Sequence, residues 1–326
     1  MSEDNNRAHG IQQQPHNKPL LTVPEQIAHL RSKGVTFTLC TEADAARHLH
    51  EKCQFFRIYS YRGLFDKCVG GERNGQYANL DFAHLKELSN IDRQLRDVLL
   101  PMTLDMEHFT KVRLLAAAED NGENGHTVMQ DYFESLSQGQ RSHIENELNK
   151  RTEDPYSGAL IHKYLGNMPL WVFCEVVPFG TFLGILKYCA GRWNDRELNE
   201  VHYLLKHVRS LRNGCAHGAC MLNDLFADAV PMRPPVPLLK ALANCDIPKR
   251  ARAKWLKSPR MVQICSLIYL FGTIVPDGLL RDDRKEAIHS FAKAVDEALP
   301  LFDEQNPAVA ALSFVERLTR GVGLLK

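Results

Sequence analysis

Between Asp195 and Asn213 the apolar residues Leu198, Val201, Leu204, Leu205, Val208 and Leu211 recur every three or four positions. That spacing puts them on one face of an α-helix and on no single face of a strand. The same period runs through Leu85, Leu88, Ile91, Leu95, Val98 and Leu99. No internal repeat and no convincing hairpin signal interrupts it. The expected fold class is all-α.

The first seventeen residues are polar, glutamine-rich and aperiodic, as in a disordered tail, and from residue 18 the chain reads as one helical domain. In "KPLLTVPEQIAHLRSKGV", Thr22 is placed to cap a helix, with Pro24 and Glu25 in its first turn, Ile27 and Leu30 buried and Gly34 at its end. A second helix starts from Thr41. The aromatic stretch "FFRIYSYRGLFDKC" fits a strand or a helix equally well. Pro101 marks a kink or break in the long helix that follows. Residues 120–158 are polar and glycine-dotted, an excursion from the core with one amphipathic segment around Tyr132–Leu136. "NMPLWVFCEVVPFGTFLGILKYCAG" is apolar all round, as in a buried central helix bent at Pro178 and Gly180. After the proline-rich "VPMRPPVP", helical signals continue through a C-terminal extension spanning 231–326.

A formal net charge of +1 gives no global bias towards nucleic acid, so any such binding must come from a local basic patch. The polar opening lacks the apolar segment of a secretory signal, and "MVQICSLIYLFGTIVP" is too short and interrupted to span a bilayer. The expected location is cytoplasmic, without membrane attachment. Nine cysteines without a C-x-x-C pair fit reduced thiols, many of them buried. His48-x-His50 is the closest pair of potential metal ligands and nothing nearby completes a set. No metal or cofactor is expected.

The apolar stripe ends in "LRNGCAHGA", a run that helix stability alone would not select. Gly214 and Gly218 each cost a helix about 1 kcal/mol relative to alanine. On an ideal helix Arg212 and His217 lie about 140° apart, whereas Asn213 and His217 share a face. Histidine moves protons near neutral pH, arginine grips phosphate with a planar fork, and asparagine orients a neighbour or donates to an oxyanion. Together these groups suit attack of a ribose 2′-hydroxyl on the adjacent phosphodiester. A basic helix end capped by Gly218 is the structural alternative.

R-N-x-x-x-H at the end of an apolar helix resembles the nuclease motif of the HEPN superfamily. The order of the other blocks resembles one branch of it, the Abi-like (AbiD/AbiF-type) abortive-infection proteins of bacteria. "KPLLTVPEQIAHLRSKGV" resembles that family's opening helix, and "FFRIYSY" its aromatic segment, without the glycine between serine and tyrosine. "IDRQLRDVLLPMTLDMEHFTKVRL" and "MPLWVFCEVVPFGTFLGIL" are similar to two later helices. The resemblance covers about residues 18–320, but the 120–158 excursion has no clear counterpart. It implies a HEPN-like helical bundle over roughly 82–230 with added helices at both ends. It also implies a metal-independent endoribonuclease acting in anti-phage defence, with Arg212 and His217 catalytic, Asn213 between them, and 2′,3′-cyclic phosphate products. Because the chain holds one full copy of the motif, a homodimer is implied. The resemblance equally allows a protein that holds a structured small noncoding RNA without cutting it. A helical scaffold for a protein partner is a third, weaker option.

Other polar residues offer supporting roles. Glu107 and Arg113 lie on the long helix, and Glu175, set among apolar neighbours, must be paired or protonated if buried. Glu175 is then a candidate to hold the motif arginine, or one half of a structural salt bridge. Asp92, Arg93 and Arg96 read as a solvated or inter-helix polar network, and His202 and His207 as packing or surface residues. In "PKRARAKWLKSPR", Lys249, Arg250, Arg252, Lys254, Lys257 and Arg260 surround Trp255. Such a run is either a solvated helix face or an RNA contact in which the cations meet phosphates and the indole stacks on a base.

Overall fold

Thr22 and Glu25 form a reciprocal capping box, and the first helix starts there, as its sequence predicts. The computed structural model describes residues 19–223, 234–245, 247–303 and 306–325. The expected tail over 1–17 and the boundary expected near residue 230 fall outside those residues. The described residues are all-α, with two isolated backbone bridges and no sheet. The helices are α1 (Val23–Ser32), α2 (Glu42–Glu51), α3 (Phe55–Ser60), α4 (Phe82–Asp120), α5 (Gly125–Ser135), α6 (Gln138–Lys150), α7 (Gly158–Tyr164) and α8 (Leu170–Val176). They continue with α9 (Phe179–Arg192), α10 (Arg196–Ala216), α11 (Val236–Asn244), α12 (Lys249–Trp255), α13 (Pro259–Ile274), α14 (Leu279–Ala298) and α15 (Pro307–Gly321).

The chain divides into two compact units. The first comprises Met1–Phe56 and Asp66–Ala83. Within it α1 and α2 pack together, Ile27, Leu30, Ala45 and Leu49 are buried, and Gly34 turns the chain with φ +88°. Asp81 ties the rest of this unit. It accepts hydrogen bonds from the Thr36 and Thr38 hydroxyls and from the amides of Thr38, Leu39 and Ala83. Burial alone would raise its carboxyl, but these donors outweigh it and hold the group below the usual carboxylate range.

The second unit comprises Arg57–Phe65 and His84–Lys326 and is organised around α10. Its stripe, from Leu198 to Leu211, is buried along the whole helix. It packs against both α9 and α13. The apolar run starting at Met261 forms α13, a helix buried on nearly every side, with α11 and α15 on its other faces. No helix of the described residues is long and apolar enough to cross a membrane.

Three local expectations change. The "FFRIYSYRGL" segment resolves as α3 followed by a 3-10 turn over Tyr61–Leu64. Pro101 does not break α4, which continues through it for 39 residues. Leu95 and Leu99 before it and Met102 and Met106 after it are all buried, so packing on both sides outweighs the missing N–H. Conversely, the run expected as one bent helix is two, α8 and α9, because Pro178 is the N-cap of α9 with extended backbone. Replacing Leu205, wholly buried on α10, by alanine should cost about 2–5 kcal/mol in urea unfolding. Glu175→Ala, on the exposed side of α8, should stay within about 0.5 kcal/mol of the parent. Equal losses for the two variants would contradict this placement of the core.

Candidate functional site

α10 ends where the motif lies, and its end is a Schellman cap. The last helical residue is Ala216 and His217 is the C-cap. Gly218 adopts φ +64°, its amide donating to the Cys215 carbonyl at 3.0 Å and that of Ala219 to Gly214 at 2.8 Å. Gly218 is the glycine such a cap requires, as its sequence predicts.

The residues just past the cap are held from elsewhere in the unit. Arg57 on α3 donates to the Gly218 carbonyl, and Arg96 on α4 donates to that of Ala219 at 3.1 Å. Asp92, fully buried, accepts from the amides of Met221 and Leu222 at 2.6 and 2.7 Å and pairs with Arg96. The Tyr61 hydroxyl stands beside that carboxylate and takes the Cys220 thiol at 3.6 Å. Burial pushes the Asp92 carboxyl upward, and the two amides and Arg96 oppose it. The inter-helix network read from Asp92 and Arg96 is thus the clamp on the loop after the motif. Arg93 takes no part in it and pairs with Asp97 on the exposed side of α4.

Arg212 and Asn213 are half-buried and open onto a cavity of about 410 Å³. Their side chains meet, Arg212 Nη1 lying 3.3 Å from Asn213 Oδ1, while Arg212 Nε is buried without a hydrogen-bond partner. Among the described residues no carboxylate pairs with Arg212. Glu175, the candidate to hold it, is exposed on α8, so the cost of burying a lone charge does not arise there. Glu107 pairs instead with Lys111 at 3.4 Å and Arg113 with Glu197 at 2.7 Å. His217 is exposed at the helix end and does not line the cavity.

Sequence reasoning missed much of the cavity wall. Arg209 stands on α10 three residues before Arg212, and α6 contributes His143 and Glu147 from within the polar excursion. Glu147 accepts from the Thr181 hydroxyl and lies 3.6 Å from His143. Gly180 and Gly184 on α9 complete it. A Cβ on Gly180 would meet the Arg209 guanidinium at 2.9 Å, and one on Gly184 the Tyr132 hydroxyl at 2.6 Å. Two glycines one turn apart in a buried helix were the available signal; from sequence Gly180 reads only as a bend, with Pro178, and Gly184 is not singled out.

The basic run does not present one face. Lys249, Arg250, Lys254 and Lys257 are exposed, but Trp255 is buried against Phe314, ring centroids 5.9 Å apart, so its indole has no face for a base. Lys254 sits over that ring at 4.5 Å. Arg252 donates to the Leu239 carbonyl at 3.0 Å, and Arg260 turns towards the motif helix, Nη1 lying 3.2 Å from where a Gly214 Cβ would stand. His202 and His207 are buried or half-buried. Burial, then nearby lysines, lowers His202 to about 4, and burial, then Lys206, lowers His207 as well, so both stay neutral. No group of three or more His, Cys, Asp or Glu among the described residues is placed to hold a metal ion.

This geometry defines an all-α protein with an arginine-walled, carboxylate-poor pocket beside a capped helix end. The Abi-like protein family matches residues 48–223, just over half of the chain, and the chain belongs to that family. The match runs from α2 through the clamped loop and stops before α11. No curated protein and no solved structure matches the chain.

Removing the clamp should loosen this end of α10. Asp92→Ala leaves two buried amides and Arg96 short of an acceptor and should cost about 3–5 kcal/mol in urea unfolding. Gly218→Ala should cost about 1–2 kcal/mol through its left-handed backbone. A negligible loss in Asp92→Ala would overturn the clamp.

Proposed function

We propose that this chain is a HEPN-type endoribonuclease acting in anti-phage abortive infection, its core the helical bundle expected over roughly 82–230. The observation that carries this reading is Arg212. It meets no carboxylate among the described residues, leans on Asn213 and opens onto a cavity one helical turn from the exposed His217. A charged group kept half-buried without a counter-ion is poised for an anionic ligand.

In this mechanism His217 takes the proton of a ribose 2′-hydroxyl, and the 2′-oxygen attacks the adjacent phosphorus. Arg212 neutralises the charge growing on the phosphoryl oxygens, with Asn213 fixing its orientation. The P–O5′ bond breaks and the 5′-oxygen takes up a proton. The products are a 2′,3′-cyclic phosphate and a 5′-hydroxyl, with the nucleophile supplied by the substrate itself. On the helix Arg212 and His217 are about 7.5 Å apart along the axis and about 140° apart around it. A homodimer that sets two motif ends face to face supplies the proximity that one subunit lacks.

One observation favours a second reading, in which the protein holds RNA without cutting it: His217 stands outside the cavity that Arg212 lines. Cleavage of single-stranded RNA by the purified protein separates the two. Under the ribonuclease reading His217→Ala and Arg212→Ala each lower the rate by about 10²–10⁴-fold. The His217 variant should keep the parent's melting temperature, because its side chain is exposed. Intact co-purifying RNA and equal behaviour of parent and variants would establish the second reading instead.

A further inference from the structure

The cavity beside the motif is larger than one phosphate requires and carries groups that the cleavage chemistry does not use. At about 410 Å³ it falls in the roughly 300–1,000 Å³ range of small-molecule sites. Arg209, Arg212 and Asn213 share its α10 wall at spacings of three and four residues. Two arginines on one helix face repel, and neither has a carboxylate within ion-pair distance among the described residues. Helix α6 contributes Glu147 and His143 to the lining of the same cavity. The glycines of α9 keep the space open: Gly180 admits the Arg209 guanidinium and Gly184 the Tyr132 hydroxyl. Burial pushes that hydroxyl up to about 12, so it remains a neutral hydrogen-bonding group.

A pocket that two arginines and one carboxylate line without an ion pair between them matches a ligand that is anionic at one end and rich in N–H donors at the other. A nucleotide is such a ligand. We propose that this cavity holds one nucleotide of the RNA strand next to the scissile linkage, with Arg209 binding its phosphate and Glu147 accepting from its base. This rests on the proposed function for the identity of the strand. Arg209 and Asn213 are four residues apart and Asn213 and His217 four more, so one face of α10 leads from the pocket to the helix end. Glu147, held by Thr181, favours the bases that carry an amino group, cytosine, adenine and above all guanine with its adjacent N1–H, over uracil, whose single N3–H is flanked by two carbonyl oxygens.

The test uses the full chain with two separate readouts. Binding is measured with a 2′-O-methyl oligonucleotide, which lacks the attacking hydroxyl, and with the four free nucleoside monophosphates as competitors. Cleavage is measured on RNA by mapping the bases flanking each cut. Arg209 is exposed, so Arg209→Gln should fold as the parent does while weakening the oligonucleotide about tenfold or more and raising KM with kcat largely kept. Glu147→Gln, which adds a donor, should change the base preference at one flanking position. His143→Ala, on a side chain that is largely exposed, provides a second α6 variant should Glu147→Gln melt early. Binding and cut pattern unchanged in the Arg209 and α6 variants would overturn the subsite. A parent that binds the oligonucleotide but cuts no RNA would defeat the ribonuclease reading alone, the binding series still deciding the subsite. A parent that binds no oligonucleotide would overturn both, and tight binding of free monophosphates only would assign the pocket to a soluble nucleotide instead.

Discussion

A single buried carboxylate fixes the course of the chain where it leaves α10. Asp92 is out of solvent altogether, yet it accepts two consecutive backbone amides and faces Arg96, which in turn reaches a neighbouring carbonyl. A charge in that position is tolerable only when its acceptor sites are filled, so the loop after α10 has one geometry that satisfies it. Arg57 adds a third anchor from α3. The chain that leaves the motif is therefore gripped by groups from two earlier segments. The path of the chain from Gly218 to Leu222 is held by residues more than a hundred positions upstream.

The cavity follows from the opposite tactic, the removal of side chains. Gly180 and Gly184 weaken α9 as a helix by about 1 kcal/mol each, yet they leave room for the Arg209 guanidinium and the Tyr132 phenol to lie against that helix. Stability is surrendered along one face of α9, while the next helix, α10, carries an uninterrupted stripe of buried leucine and valine. A firm helix bearing the charged groups beside a weakened helix bearing the space is how the fold reconciles a rigid core with an open polar pocket.

Much of the fold was legible because it is written locally. The Thr22 and Thr41 caps, the Gly218 cap and the stripe from Leu198 to Leu211 each rest on neighbours within a turn or two, and each is where its residues imply. The motif run from Arg212 to His217 stood out for the same reason, its residues being neighbours on one helix end. The rest of the pocket was not, since His143 and Glu147 belong to a polar stretch whose sequence resembles a surface excursion and whose partners lie on another helix. Trp255 illustrates the same limit. A basic run with one indole does not say which way the indole points, and Phe314 on a distant helix decides it. Pro101 was overrated because a proline's local penalty is visible in sequence and the burial on either side of it is not.

The family match stops at residue 223, whereas the core does not. One of the two helices that pack most on α10 is α13, a strongly apolar helix, and it lies beyond that limit. Arg260, at its start, comes within reach of the motif glycine Gly214. The region shared with relatives and the region that excludes water are thus two different outlines drawn on one chain. The part that carries the family's signature depends, for the burial of its central helix, on a part that does not carry it.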